Sequence, residues 1–287
     1  MSIDVHQHVW TRPLVDALRV RSSPPYVDGW TLILDDEPPY EIDPQDLEHR
    51  DTTGLELALV SPSSPLGIEF LPPEESWPVI DAYHDGALVL GEPFGAWAST
   101  CLSRPDPERL ARDLGRGFAG LQIPATAVPD DGLLEVLTDL DLPLFVHPGP
   151  AAKAPGTPPW WPAVVPYVQQ MHAAWHYFHA VVRPRHPELR VCFALLAGLA
   201  PLHSERLIAR GGGSRGLVDP DFFVETSSYG PRAIDAIVRE LGIDVVVNGS
   251  DAPYATAPEP GLGAAAGHAI RVVNPRRLLA RERRCLD

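Results

Sequence analysis

Eight short apolar runs, spread along the chain and separated by amphipathic stretches, restrict this sequence to few folds. The runs are SIDVHQH, LELALVS, FGAWAST, FAGLQIPA, LPLFVHPG, LRVCFALLAG, DFFVETSS and IDVVVNGSD. Each is about strand length and nearly continuous in apolar residues, as strands of a parallel sheet covered on both faces are. Helix-like segments lie between the later runs. DPERLARDLGRG starts on an Asp-Pro cap and stops on glycine, and DDGLLEVLTDL, APLHSERLIARGG and GPRAIDAIVRELG read the same way. A longer segment carries Val168, Met171, Trp175, Phe178 and Val182 on one 3.6-period stripe. Eight strands alternating with helices predict an α/β fold, a (β/α)8 TIM barrel formed by one domain over residues 1–287. A doubly wound open sheet is the rival, disfavoured by the strand count and by the lack of GxGxxG after the first run.

Two connections are too long for plain strand-to-helix loops. Residues 11–53 contain DGWTLILDDEPPYEI, which predicts a small hairpin subdomain inserted after the first strand as a cap. HPGPAAKAPGTPPWWP follows the fifth strand. Both belong to the C-terminal face of a barrel, where barrel enzymes carry their sites.

Composition narrows the partners. The chain has 38 acidic and 23 basic residues, a net charge of −15, and no Lys/Arg run, so neither nucleic acid nor an anionic membrane is expected to bind it. Cys101, Cys192 and Cys285 are scattered, which fits reduced thiols in a cytoplasmic protein. No signal-like start and no run long enough to span a bilayer is visible. The expected partner is a small-molecule substrate, with a homodimer left open as the assembly.

The chemistry sits at the ends of the runs. Residues i and i+2 of a strand point the same way, so His6 and His8 are both expected to face the barrel mouth. Alone, an HxH pair is equally well two ordinary polar positions. His147 ends the fifth run and Asp251 the eighth, beside the first strand when a barrel closes. Three imidazoles and a carboxylate from one face make an N3O set suited to Zn²⁺, Fe²⁺ or Mn²⁺. Asp251 in SDAP would otherwise read as a turn or helix-cap aspartate.

IDVHQHVW, FVHPG and NGSDAPY resemble the amidohydrolase superfamily, nearest to the amidohydrolase-related group that includes aminocarboxymuconate semialdehyde decarboxylase. RHPELRV, the stretch DFFVETSS through NGSDAPY, and VVNPRRLL extend the resemblance nearly end to end. It implies a (β/α)8 fold and hydrolase, lactonase, hydratase or non-oxidative decarboxylase chemistry, with His6, His8, His147 and Asp251 as metal ligands. Two positions depart from the family. Gln122 stands where binuclear members carry a carboxylated lysine, so one ion is expected, most simply Zn²⁺. Leu196, or Ala197, stands where the sixth strand usually ends in histidine, which removes a positioned acid or base.

The remaining candidates are weaker. His172, His176 and His179 share a helix stripe and read as packed or surface residues; His203 lies nearer the active face. Glu225 ends the seventh run and faces either the barrel or the helices. Arg12, Arg104, Arg232 and Lys153 are cations near the mouth, and Trp30, Trp160 and Trp161 are aromatic residues of the long loops. Arg12, Leu196, Arg232 and Trp160 are taken as substrate contacts. The reading preferred from sequence is a metal-dependent hydrolase of a lactone, ester or amide of a small organic acid. In it Asp251 moves the proton of a metal-activated water. A non-oxidative decarboxylase is the alternative, and a metal-binding barrel without catalysis is the third.

Overall fold

The computed structural model describes residues 1–35, 38–152, 154–212 and 218–280. Lys153, Cys285 and most of the GGGSRG stretch at 211–216 lie outside them.

Among the described residues the strands are β1 (Ser2–His8), β2 (Tyr26–Asp28), β3 (Thr31–Ile33), β4 (Tyr40–Glu41), β5 (Leu55–Ser61), β6 (Phe94–Ala96), β7 (Leu121–Pro124), β8 (Leu144–His147), β9 (Val191–Phe193), β10 (Phe222–Glu225) and β11 (Val246–Val247). Eight of them form two parallel sheets, ordered β1-β5-β6 and β11-β10-β9-β8-β7. A parallel bridge from Ala98 to Leu121 joins the sheets at one edge, and one from Gln7 to Ala252 joins them at the other. At that second seam the N–H of Val5 donates to Asn248 O at 3.0 Å, and that of Asp251 to His6 O at 2.8 Å. Strands β2, β3 and β4 form a separate antiparallel sheet between β1 and β5.

Helices return the chain between the parallel strands. They include α1 (Arg12–Arg19), α2 (Pro73–Leu88), α3 (Pro107–Leu114), α4 (Asp131–Asp139), α5 (Pro166–Tyr177), α6 (Ser204–Ala209), α7 (Pro231–Leu241) and α8 (Asn274–Leu279). Local chemistry explains their starts. Asp106 accepts from the N–H of Arg109 at 2.9 Å, and Asp130 from that of Leu133 at 3.3 Å. Each satisfies a donor the first helical turn leaves free. Leu14, Val15 and Leu18 of α1 are buried, as are Ile234 and Ile237 of α7.

The interior between the sheets is filled by side chains. Trp97 is buried and its indole N–H donates to Val5 O at 2.9 Å. Tyr83 of α2 donates its hydroxyl to the carbonyls of Val60 and Trp97. Burying side chains of this size stabilises by roughly 1.5–3 kcal/mol each. Among the described residues no helix is long and apolar enough to cross a membrane.

Candidate metal centre

The C-terminal ends of β1 and β8 and the turn after β11 bring His6, His8, His147 and Asp251 together. One ligand atom from each lies within 4.8 Å of the others. Nε2 of His6 and Nε2 of His8 are 3.1 Å apart, and Asp251 Oδ1 lies 3.4 and 3.2 Å from them. The ring of His147 is 4.8 Å from each of the other two, centre to centre.

Each imidazole is turned by what its other nitrogen meets. Nδ1 of His6 lies 3.0 Å from Glu225 Oε1. Nδ1 of His8 faces the carbonyl of Ser61 at 3.3 Å and its hydroxyl at 3.2 Å; Nδ1 of His147 faces Pro148 O at 2.8 Å. Acceptors on the Nδ1 side place the ring proton there, so three Nε2 lone pairs point at one spot. Lone pairs and a carboxylate oxygen crowded to 3.1–3.4 Å repel unless a cation stands among them. Ligands bound at ~2.0–2.1 Å lie about 3.3 Å apart around a tetrahedral ion and about 2.9 Å apart around an octahedral one. His6, His8 and Asp251 are therefore spaced as ligands of one divalent ion are, with a ligand atom of His147 within 4.8 Å of them.

Burial holds the His147 imidazole well below its ordinary pKa and lowers that of His8, which Asp251 partly offsets. Burial also acts to lower His6, but Glu225 and Asp251 together outweigh it and raise the group. Neutral rings are the metal-binding form.

Two residues around the ligands did not stand out in the sequence as supports. Asp4 is buried two residues before His6. Its carboxylate accepts from the backbone N–H of His6 at 3.1 Å and of Ser250 at 3.0 Å, and from the Gln7 amide. It ties both ligand-bearing segments to one point, and its place two residues before HxH was the available signal. Glu225, left open between two faces, points inward. Besides His6 it accepts from the N–H of Leu195 at 2.7 Å and of Ser227 at 2.6 Å.

The segment after β9 is unusual. Leu195, Leu196, Ala197, Gly198 and Leu199 all have φ between 47° and 60°. This conformation costs an L-residue roughly 1–2 kcal/mol. Packing enforces it: Leu196 and Ala197 are fully buried, and a Cβ at Gly198 would lie 2.5 Å from Val168 O of α5. The left-handed turn changes which residue meets the site. Leu195, not Leu196, lines the cavity.

That cavity holds about 650 Å³ and opens over the ligands, with His8, His147 and Asp251 in its wall. The antiparallel sheet region contributes Leu32, Leu34 and Tyr40; the segment after β8 contributes Val164, Tyr167 and Val168. Ser63, Ser228, Tyr229 and Tyr254 add hydroxyls.

The other expected substrate contacts are not in this wall. Arg12 is exposed and held by Asp16 at 2.8 Å, four residues on along α1. Arg232 is exposed in the first turn of α7. Trp160 is 57% exposed and stacks toward Trp161, while its neighbours Pro159 and Ala163 line the cavity instead. Arg104 lines a separate surface groove with Trp77. Gln122 is buried and donates its amide to Pro62 O and Ser64 Oγ, at 2.9 and 2.8 Å. His172 packs against His176 and His203, with ring centres 4.9 and 4.8 Å apart, in a group separate from the ligands.

The strand ends of this parallel α/β fold thus bring three imidazoles and a carboxylate, an N3O set able to hold a metal ion, to one place. Solved structures share the fold. The chain is similar to Metarhizium anisopliae IDCase (TM-score 0.77, 17% identity, 97% of both chains covered). It is similar to 2,6-dihydroxybenzoate decarboxylase from Rhizobium (TM-score 0.67, 17% identity, 97% of this chain and 99% of that one). It is also similar to a 5-carboxyvanillate decarboxylase from Novosphingobium aromaticivorans complexed with manganese (TM-score 0.70, 17% identity, 97% and 96%). No family model matches the chain. No curated protein matches it either.

Proposed function

We propose that this chain is a metal-dependent, non-oxidative decarboxylase of a small carboxylic acid. The observation that carries the reading is an N3O ligand set at the base of an apolar cavity whose only described carboxylate is Asp251. The fold shared with IDCase and with two solved decarboxylases supports it over the hydrolysis favoured by sequence alone. The reading includes a closed (β/α)8 barrel, supported by bridges at both sheet edges, with the β2–β4 sheet as its cap.

A divalent ion bound here, Mn²⁺ or Zn²⁺, supplies the positive charge that a substrate carboxylate requires in so apolar a place. His6, His8 and His147 hold their positions through Glu225, Ser61 and Pro148. Losing CO₂ leaves a carbon that must gain a proton. Asp251 lines the cavity and is the residue placed to hold that proton and deliver it. Leu34, Tyr40, Val164 and Leu195 orient the body of the substrate and exclude water. Exclusion of water favours the reaction, because a localised carboxylate charge is dispersed as the bond breaks.

The test is product analysis on metal-loaded protein with a panel of hydroxybenzoates and, in parallel, aryl esters and lactones. Release of CO₂ from an acid supports the reading. Incorporation of labelled water oxygen into ester or lactone products, with no CO₂ from any acid, sinks it and restores hydrolysis.

A further inference from the structure

We infer that the cavity takes an acid with a single negative charge on an apolar body, and turns away acids with a second carboxylate. This rests on the decarboxylase reading and names its substrate class. Among the described residues of the wall there is no arginine or lysine, and the one acid is Asp251. Among the described residues, three cations of this end are engaged elsewhere. Arg12 pairs with Asp16 and Arg21 with Glu75, and Arg50 pairs with Asp46 and donates to His8 O at 2.7 Å.

A first carboxylate finds the metal. A second meets Leu34, Pro39, Val164 or Leu195, or the neutral hydroxyls of Ser63, Ser228, Tyr229 and Tyr254, which can donate a hydrogen bond but bring no positive charge. Burying a carboxylate without a partner is heavily unfavourable, and the chain's net charge of −15 adds to the repulsion. Apolar substituents gain from the same wall, and a cavity of about 650 Å³ holds a ring with an alkyl or second aryl group.

Binding of unreactive acids tests this without turnover. Mn²⁺-loaded protein is titrated with benzoate, 4-propylbenzoate and benzene-1,4-dicarboxylate, followed by calorimetry. The expected order is 4-propylbenzoate about tenfold tighter than benzoate, and the dicarboxylate at least 100-fold weaker than 4-propylbenzoate. Val164 is 55% exposed in the wall, so Val164→Arg adds a cation without burying it. This variant is expected to narrow the gap to the dicarboxylate by at least tenfold. Lys153→Met is expected to leave the order unchanged. Equal binding of the dicarboxylate and 4-propylbenzoate by wild type overturns the inference and leaves decarboxylation standing. So does an unchanged gap in metal-loaded Val164→Arg, or a changed order in Lys153→Met. Failure of every acid to bind metal-loaded protein overturns both readings.

Discussion

The carboxylate of Glu225 lies 3.0 Å from Nδ1 of His6, and both side chains are fully buried. The same oxygen accepts from the N–H of Leu195 at 2.7 Å. One carboxylate thus orients a candidate metal ligand and anchors the first residue of the left-handed turn.

Glu225→Gln keeps the shape but weakens the acceptor and offers a donor where an imidazole N–H points. Metal affinity is expected to fall by roughly 10–100-fold, as for other groups that orient metal-bound histidines. Competition with a calibrated chelator measures it. Unchanged affinity would mean that His6 is held by packing alone.

His8→Ala removes a ligand, so the variant is expected to lose metal on dialysis while wild type keeps one ion per chain. A metal at 1,000 times its Kd stabilises the folded state by about 4 kcal/mol, and that contribution disappears with it. His176→Ala, in the separate histidine group, is expected to retain wild-type metal content. Elemental analysis and thermal unfolding with added metal decide both. Two ions per wild-type chain would contradict the single-ion reading.

Asp251→Asn retains an oxygen that can face the ion but has no acidic proton. Turnover is expected to fall roughly 10²–10⁴-fold even in variants that keep metal. Stopped assays normalised to metal content check this. Retained activity would move the proton-transfer role to another group lining the cavity, with Tyr229 first.

The grouping of His6, His8, His147 and Asp251 was legible because each ends an apolar run, and strand period fixes the direction of His6 and His8. The supports were harder to see. β10 is four residues long, too short for its pattern to decide which way Glu225 points. The histidine-free sixth strand was also legible, but not which leucine replaces the imidazole in space. Five consecutive residues with positive φ break the period-2 rule, so Leu195 faces the cavity where counting from the strand favours Leu196. Arg12 and Arg232 were chosen for nearness in sequence to strand ends. Helix geometry instead turns Arg12 to Asp16 and leaves Arg232 in solvent.

Ala197 tests the left-handed turn. Ala197→Gly loses a buried methyl but relieves a φ of 53°, so its stability is expected within about 1 kcal/mol of wild type. Ala197→Val combines a β-branched side chain at positive φ with overpacking, and is expected to cost roughly 3 kcal/mol. Urea unfolding of both separates conformational cost from packing. A valine variant as stable as the glycine variant would refute the assigned backbone.

Glu69, on the turn Ile68–Phe70 after β5, supplies a pH test away from the ligands. Burial pushes its carboxyl up to about 7 from an ordinary 4.5. Between those values the unfolded chain releases a proton that the folded chain keeps, so this group makes stability fall as pH rises through that window. The loss approaches about 3 kcal/mol above pH 7. Glu69→Gln removes it, so the variant is expected to gain on wild type from pH 5 to pH 8 by about that amount. Parallel unfolding at the two pH values checks it, and an unchanged difference would show Glu69 already ionised when folded.

The β2–β4 sheet makes its own hydrogen-bonded ladder and contributes Leu32, Leu34 and Tyr40 to the cavity, but none of the four ligands. On the proposed reading, part of what selects the substrate is thus written on a stretch of chain that carries none of the candidate ligands. Changes at Leu32, Leu34 or Tyr40 would then alter which compounds are admitted without replacing any of the three imidazoles or Asp251. A lineage carrying this arrangement can change its diet faster than its chemistry.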